Sequence, residues 1–171
     1  IRSMFEEGER LRQKYGTENV FDFTLGTPDP EPPIAVKQAL KDIVASDIPG
    51  IHKYMSNAGF DDVREAIAYR LERETNIPIS KDHIIMTCGA AGGLNIVLKT
   101  ILDPGNEVIV IAPYFVEYLF YIDNHGGVPV IVEADPCTFQ PDINALEENI
   151  TKDTKAIILN SPNNPTGVVY S

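Results

Sequence analysis

Apolar residues in the first part of the chain recur every three or four positions, as they do on one face of a helix. The pattern predicts three helices, in MFEEGERLRQKY (4–15), IAVKQALKDIVAS (34–46) and FDDVREAIAYRLERET (60–75). Between the first two lies FDFTLGTPDPEPP (21–33), whose prolines cannot continue in a sheet. An ordered loop or arm is therefore expected there.

From His83 onward, short apolar runs alternate with helical segments. The runs that predict strands are HIIMT (83–87), EVIVIA (107–112), VPVIVEA (128–134) and KAIILN (155–160). Strands that are apolar on both faces need a cover on each side, and the helices between them supply it. The sequence therefore predicts an α/β fold, in which a mostly parallel sheet of four strands carries helices on both faces and follows an N-terminal helical arm.

Composition and charge narrow the range of partners. With 171 residues, 43% of them hydrophobic, the chain can fill one core. Its 25 acidic and 14 basic residues give a net charge of −11, which repels phosphate backbones and anionic membranes, so neither nucleic acid nor a membrane is an expected partner. No run approaches the roughly 20 apolar residues of a membrane span, and a cytoplasmic location is expected. Neither the cysteines nor the histidines are spaced like metal ligands.

The first candidate for chemistry is TCGAAGGLN (87–95), directly after the first predicted strand. Ligands of such sheets bind beyond the carboxyl ends of the strands. Small residues let an anion approach the backbone, and the N–H groups at the start of the next helix would donate to it. Gly92 and Gly93 each cost a helix about 1 kcal/mol relative to alanine, which favours a use for them. The segment predicts a phosphate-binding turn, with an ordinary tight turn as the alternative.

The second candidate is SPNNPTG (161–167), after the last predicted strand. Its prolines restrict the preceding residues, Ser161 and Asn164, to extended conformations. The Asn164 amide would then be presented at a fixed angle, from which it could bond a phenolate or a carboxylate with little loss of entropy. Taken alone, the stretch is more simply interpreted as a structural turn.

Several stretches together resemble one family. SPNNPTG resembles the S/N-P-x-N-P-T-G signature of the class I and II aminotransferases, which are pyridoxal-phosphate enzymes of fold type I. Residues 23–33 resemble the family's N-terminal substrate loop, and residues 52–71 its Y-x-x-x-x-G-x-x-x-L-R segment. Residues 84–118 are similar to its phosphate turn and to the strand and loop that follow. The resemblance implies amino-group transfer between an α-amino acid and a 2-oxo acid, with pyridoxal 5′-phosphate as cofactor.

The resemblance also assigns roles to individual residues. Gly89, Ala90 and Ala91 would offer backbone N–H groups to the cofactor phosphate. Phe115, where the family often has Trp or Tyr, would stack on the pyridine ring. Asn164 would contact the substrate and donate a hydrogen bond to the phenolic oxygen of the cofactor, which would lower the pKa of the cofactor's imine towards neutrality.

Two further assignments come from the resemblance and concern the substrate and a second subunit. Tyr54 would reach the phosphate of the neighbouring subunit, which implies a homodimer with shared active sites. Gly26 would lie against the α-carboxylate of the substrate. The implied organisation places an N-terminal arm with small-domain or linker elements in residues 1–50, and the first part of the large cofactor-binding domain in residues 51–171.

The family's imine-forming lysine, its pyridine-binding aspartate and its substrate-binding arginine all lie downstream of the asparagine signature. No lysine among these 171 residues matches that motif. The resemblance thus implies an N-terminal portion that holds no catalytic residue and is inactive by itself. A pyridoxal-phosphate-dependent C–S or cyclising lyase of the same fold would share these motifs, and so would the aminotransferase-like domain of a cofactor-sensing transcription regulator.

Overall fold

The computed structural model describes residues 2–21, 23 and 30–171. They fall into two compact units, Ile1–Lys53 and Tyr54–Ser171. The first unit contains helix α1 (Arg2–Tyr15), a 3₁₀ turn at Thr17–Asn19 and helix α2 (Ile34–Ala45). Both helices were predicted from the spacing of apolar residues. The predicted loop at 21–33 lies partly outside the described residues.

The second unit is an α/β structure in which helices and strands alternate. Its elements are α3 (Asp61–Thr75), a 3₁₀ turn (Lys81–His83), α4 (Gly89–Ile101), β1 (Glu107–Ala112), α5 (Glu117–Asp123), β2 (Val128–Glu133), α6 (Ile143–Glu148) and β3 (Thr154–Ile158). No helix of the described residues is long and apolar enough to cross a membrane.

The strands form one parallel sheet in the order β2-β1-β3. Glu107 at the start of β1 pairs with Val128 on one side and with Thr154 on the other. As the central strand, β1 is covered on both faces, and the side chains from Val108 to Ile111 are all less than 5% exposed. This double burial explains why EVIVIA is apolar throughout instead of alternating.

Helices cover both faces of the sheet, as the sequence predicts. Helices α4 and α5 pack on one face and α6 packs on the other. The two buried clusters consist of Leu98, Val108, Val110 and Ile122 on the first face and of Ile109, Ile111, Val132 and Leu146 on the second. The mostly parallel α/β fold is therefore confirmed.

The predicted strand at HIIMT (83–87) is wrong. His83 ends the 3₁₀ turn, and residues 84–87 belong to no strand. The N–H of Met86 donates to the carbonyl of Ala58 (2.8 Å), and the carbonyl of Ile84 accepts from Arg64 Nε (2.9 Å). A strand needs a ladder to a neighbouring strand, and these backbone groups bond to a loop and to a side chain instead. The described residues therefore contain three of the four predicted strands.

A buried arginine attaches α3 to the segment before α4. The Arg64 side chain is only 9% exposed. It donates to the carbonyl of Lys81 (2.7 Å) and to Asp61 Oδ1 (3.0 Å), while Lys81 Nζ contacts Asp61 Oδ2 at 2.7 Å. The charge of the guanidinium is thus matched by hydrogen-bond acceptors, as a buried cation requires.

Acid should weaken this attachment. The hydrogen bond and charge of Lys81, and then the charge of Arg64, lower the pKa of Asp61 below its ordinary value of 3.8. A carboxylate whose pKa is lowered by folding stabilises the native state above its unfolded pKa, and this stability is lost as the pH falls through the folded value. We expect the free energy of unfolding, measured in urea at a series of pH values, to fall more steeply below pH 3.8 in the native protein than in Asp61→Asn.

The matched control for that prediction is Asp123→Asn, at an exposed carboxylate that forms no ion pair within the described part of the chain. It should keep the native slope of stability against pH. Equal slopes for the native protein and Asp61→Asn would contradict the prediction.

Candidate functional site

Three segments singled out in the sequence converge on one edge of the sheet. Strands β1 and β3 are parallel neighbours, so their carboxyl ends, followed by Phe115 and Asn164 respectively, lie at the same edge. Helix α4 packs on β1 and ends shortly before β1 begins. The chain therefore turns back between α4 and β1, and the start of α4 lies beside the end of β1. The lengths agree, because the 13 residues of α4 and the 6 of β1 each span about 20 Å.

The first turn of α4 consists of small residues. The segment predicted as a phosphate-binding turn, 87–95, contains the start of this helix at Gly89. Gly89 has a left-handed φ of +70°, and Ala90 and Ala91 are exposed. The N-cap residue Cys88 makes no side-chain capping bond, and the first turn contains no acidic residue. The N–H of Gly89 donates to the Thr87 carbonyl (3.0 Å). The N–H groups of Ala90 and Ala91 have no acceptor within the helix and are open to an anion.

Alanine substitutions at two glycines of α4 should have opposite effects. At Gly89, a Cβ would meet no atom within 4 Å, so Gly89→Ala costs only the left-handed backbone, about 1–2 kcal/mol of unfolding free energy. Gly92 has ordinary helical geometry and room for a methyl group 3.7 Å from the Cys88 Cβ, so Gly92→Ala should stabilise by about 0.5–1 kcal/mol. Urea unfolding of the cofactor-free protein measures both, and destabilisation by Gly92→Ala would contradict this geometry.

Phe115 follows β1 and is held by an aromatic neighbour. Its ring meets Tyr118 of α5 edge to face, with centroids 5.6 Å apart and planes at 80°. The carbonyl of Phe115 also accepts from the Tyr118 N–H (3.0 Å). The ring is half-buried, and Tyr118 packs against the core cluster between the sheet and α4. This contact gives the Phe115 ring a defined orientation.

Asn164 is exposed, and its backbone is fixed. Its N–H donates to the Asn160 side-chain oxygen (2.7 Å) at the end of β3. The Asn164 carboxamide has no hydrogen-bond partner among the described residues. The side chain that the sequence analysis singles out is therefore available to a ligand.

The residue beside it, Asn163, was missed by the sequence analysis. Asn163 is 7% exposed and donates from Nδ2 to the Tyr170 hydroxyl at 2.9 Å. Its Oδ1 accepts from the N–H (3.1 Å) and the hydroxyl (2.9 Å) of Thr166. The sequence contains a signal for this turn, because asparagine favours turns in which its side chain bonds to the backbone that follows.

Two phenols near this edge have raised pKa values and stay neutral. Burial, and then the charge of Tyr170, raises the pKa of Tyr118. A hydrogen bond to Glu117 raises the pKa of Tyr121 to about 12. Tyr118 is the phenol whose ring contacts Phe115.

Of the two remaining predicted site residues, the structure describes Tyr54. Tyr54 begins the second unit and is fully exposed. Gly26 lies outside the described residues. Within the described part of the chain, no group of three or more His, Cys, Asp or Glu side chains could hold a metal ion.

Comparison with known proteins gives consistent matches. The aminotransferase class I and II family matches residues 18–171. A probable aspartate/prephenate aminotransferase of Thermus aquaticus is 43% identical over 86% of this chain, and an aspartate aminotransferase of Thermotoga maritima is 38% identical over 90%. The crystal structure of an amino transferase from Eubacterium rectale superposes with a TM-score of 0.91 at 40% identity and covers 99% of this chain.

These matches involve less than half of each relative. The chain spans 38% of the Thermus aquaticus protein, 40% of the Thermotoga maritima protein and 43% of the Eubacterium rectale chain. Within the matched part, this chain resembles these relatives in sequence and the Eubacterium rectale chain also in fold.

Proposed function

Since the chain belongs to the class I and II aminotransferase family, we propose that it forms the amino-terminal part of a pyridoxal-phosphate-dependent aminotransferase. The whole enzyme would move an amino group from an α-amino acid to a 2-oxo acid. The names of the Thermus aquaticus and Thermotoga maritima relatives favour aspartate as the amino donor. The observation that carries the proposal is that an uncapped helix start, a fixed aromatic ring and a free carboxamide converge on one edge of the sheet.

The first turn of α4 fits the cofactor phosphate. Ala90 and Ala91 would donate backbone N–H groups to the phosphate oxygens, and Gly89 would do so on releasing the Thr87 carbonyl, to which its N–H now donates (3.0 Å). The dipole of α4 favours the negative charge of these oxygens. The space beside Gly89 is open, and no acidic side chain of the first turn competes for the amides. The residues present thus suit an anion.

Phe115 and Asn164 would hold the ring of the cofactor. Phe115 would stack on the pyridine face, and its edge-to-face contact with Tyr118 would keep it oriented. Asn164 would donate its Nδ2 hydrogen bond to the phenolic oxygen and thereby stabilise the negative charge there. When bound, pyridoxal phosphate supplies the electron sink for the reacting carbon.

The remaining assignments concern the assembly and the substrate. The fully exposed Tyr54 ring is free to reach a second subunit, in line with a homodimer with shared sites. Gly26 would lie against the substrate carboxylate. We place the enzyme in the cytoplasm, where amino and oxo acids are available. The division at residue 50, between an arm and the large domain, belongs to the same proposal.

A product assay on the full-length enzyme tests this function. Incubated with pyridoxal phosphate, aspartate and 2-oxoglutarate, the enzyme should form oxaloacetate and glutamate in equal amounts. Release of ammonia and pyruvate from a sulfur amino acid, without exchange, would indicate the lyase. Binding of the cofactor with neither reaction would favour the regulator. The 171-residue chain assayed alone is the control and should exchange no amino groups.

A further inference from the structure

Asn163 directly precedes Asn164, the residue assigned to the phenolic oxygen of the cofactor, and its side chain is bonded to the Tyr170 hydroxyl (2.9 Å). We propose that Asn163 and Tyr170 are positioning residues, which hold the Asn164 carboxamide in the direction that the cofactor requires. The inference rests on the proposed function and adds two residues to its site. Neither residue needs to touch the cofactor for this role.

The hydrogen bonds of Asn163 close the turn that contains Asn164. Its N–H donates to the Val168 carbonyl (2.8 Å), and its carbonyl accepts from the Gly167 N–H (2.7 Å). Its side chain bonds to Thr166 and Tyr170. Asn163 is 7% exposed, so losing the Tyr170 hydroxyl would leave its buried Nδ2 without this acceptor. The turn therefore has one strongly preferred conformation.

Tyr170 connects this turn to the rest of the site. Its hydroxyl accepts from Asn163 Nδ2, and its N–H donates to the Ser161 hydroxyl (2.9 Å) at the other end of the turn. Burial, and then the charge of Tyr170, raises the pKa of the Tyr118 phenol. Tyr118 in turn contacts the Phe115 ring. Tyr170 is therefore bonded to both ends of the turn that contains Asn164.

The orientation of Asn164 depends on this support. Among the described residues its carboxamide has no partner, so protein contacts direct it only through its backbone. A hydrogen bond weakens steeply as its angle departs from linear. A turn that is fixed before binding avoids the entropy of ordering the donor when the cofactor arrives. Loosening the turn should therefore weaken the bond to the phenolic oxygen without removing the donor.

The test is a pH titration of the visible absorbance of bound cofactor in the full-length holoenzyme, without substrate. Asn164→Ala removes the donor and should raise the cofactor's apparent pKa by about one to two units. Tyr170→Phe keeps the ring and removes only the hydroxyl, and it should raise the same pKa by about half a unit. Asn163→Ala should act in the same direction.

A double variant separates positioning from general damage. If Tyr170 acts through Asn164, then Tyr170→Phe should shift the pKa no further in the Asn164→Ala background. The matched control is Tyr121→Phe, which removes a hydrogen-bonded phenol hydroxyl from half-buried α5 and should leave the pKa unchanged. Should Asn163→Ala fail to fold, the conservative Tyr170→Phe decides the question.

The outcomes distinguish this inference from the function on which it rests. A native pKa in Tyr170→Phe, or an equal additional shift in the double variant, overturns the positioning role and leaves the aminotransferase proposal intact. An unchanged pKa in Asn164→Ala also overturns it, because the pair would then position nothing. Failure of the full-length protein to bind pyridoxal phosphate would overturn both.

Discussion

Replacing Ala90 by glutamate should weaken the binding of pyridoxal phosphate by roughly 100- to 1,000-fold, since like charges brought together cost several kcal/mol. Ala90 is exposed in the first turn of α4, where the phosphate would bind, and that turn contains no acidic residue. The same carboxylate interacts favourably with the helix dipole, so the cofactor-free protein should gain about 0.3–1 kcal/mol of stability. A loss of cofactor affinity together with a gain in the free energy of unfolding would identify the turn as an anion site.

Two control variants make that result specific. Ala90→Gln has the same size without the charge and should lose far less affinity, as measured by fluorescence titration of the cofactor-free enzyme. Ala66→Glu adds the same charge on the exposed face of α3 and should leave affinity nearly native. Equal losses in Ala90→Glu and Ala90→Gln would mean that size, and not charge, matters at this position. Native affinity in Ala90→Glu would place the phosphate elsewhere.

Leu98→Ala should lower the free energy of unfolding by about 2–5 kcal/mol, because it leaves a cavity as well as losing buried apolar surface. Leu98 is 2% exposed and fixes α4 to β1 and α5 through Val108, Val110 and Ile122. The same helix carries the predicted phosphate-binding turn at its start. If the Leu98 side chain is lost, α4 is held less firmly against the sheet. Cofactor binding should therefore weaken as well.

The neighbouring residue on α4 provides the control for the core prediction. Val97 is 52% exposed, so Val97→Ala removes apolar atoms from the same helix with little burial and should cost less than about 1 kcal/mol. Urea unfolding of both variants measures the difference. Similar losses for the two variants would show that α4 is not held by the Leu98 cluster.

The central part of the fold could be predicted from the sequence because its signal is strong. EVIVIA is apolar at every position since β1 is buried on both faces, and its predicted limits, 107–112, are those observed. The edge strands β2 and β3 have half-exposed residues, and their limits differ from the prediction by one or two residues at an end. A strand that is buried on both faces is thus easier to predict from a single sequence than an edge strand.

The errors arise where structure depends on partners that the local pattern does not reveal. Residues 84–87 are β-branched enough to suggest a strand, yet their backbone bonds to Ala58 and Arg64. Helix α4 begins at Gly89 and includes Gly92 and Gly93, although glycines disfavour helices, because tertiary packing overrides that preference. The roles proposed for Gly89, Phe115 and Asn164 come from the resemblance to the family, whereas the hydrogen bond between Asn163 and Tyr170 emerges only from the folded loop.

The sheet order has a practical consequence for anyone who produces this polypeptide in a host cell. Strands β2 and β3 are the outer strands of the three that the described residues contain, so each offers one row of backbone N–H and C=O groups to any strand that approaches. Ile131 and Leu159 are exposed on or beside these strands and add apolar surface. Exposed edge strands favour edge-to-edge aggregation. Recombinant expression of these 171 residues alone should therefore direct much of the product into inclusion bodies. A longer chain that covers the edge strands should not behave in this way.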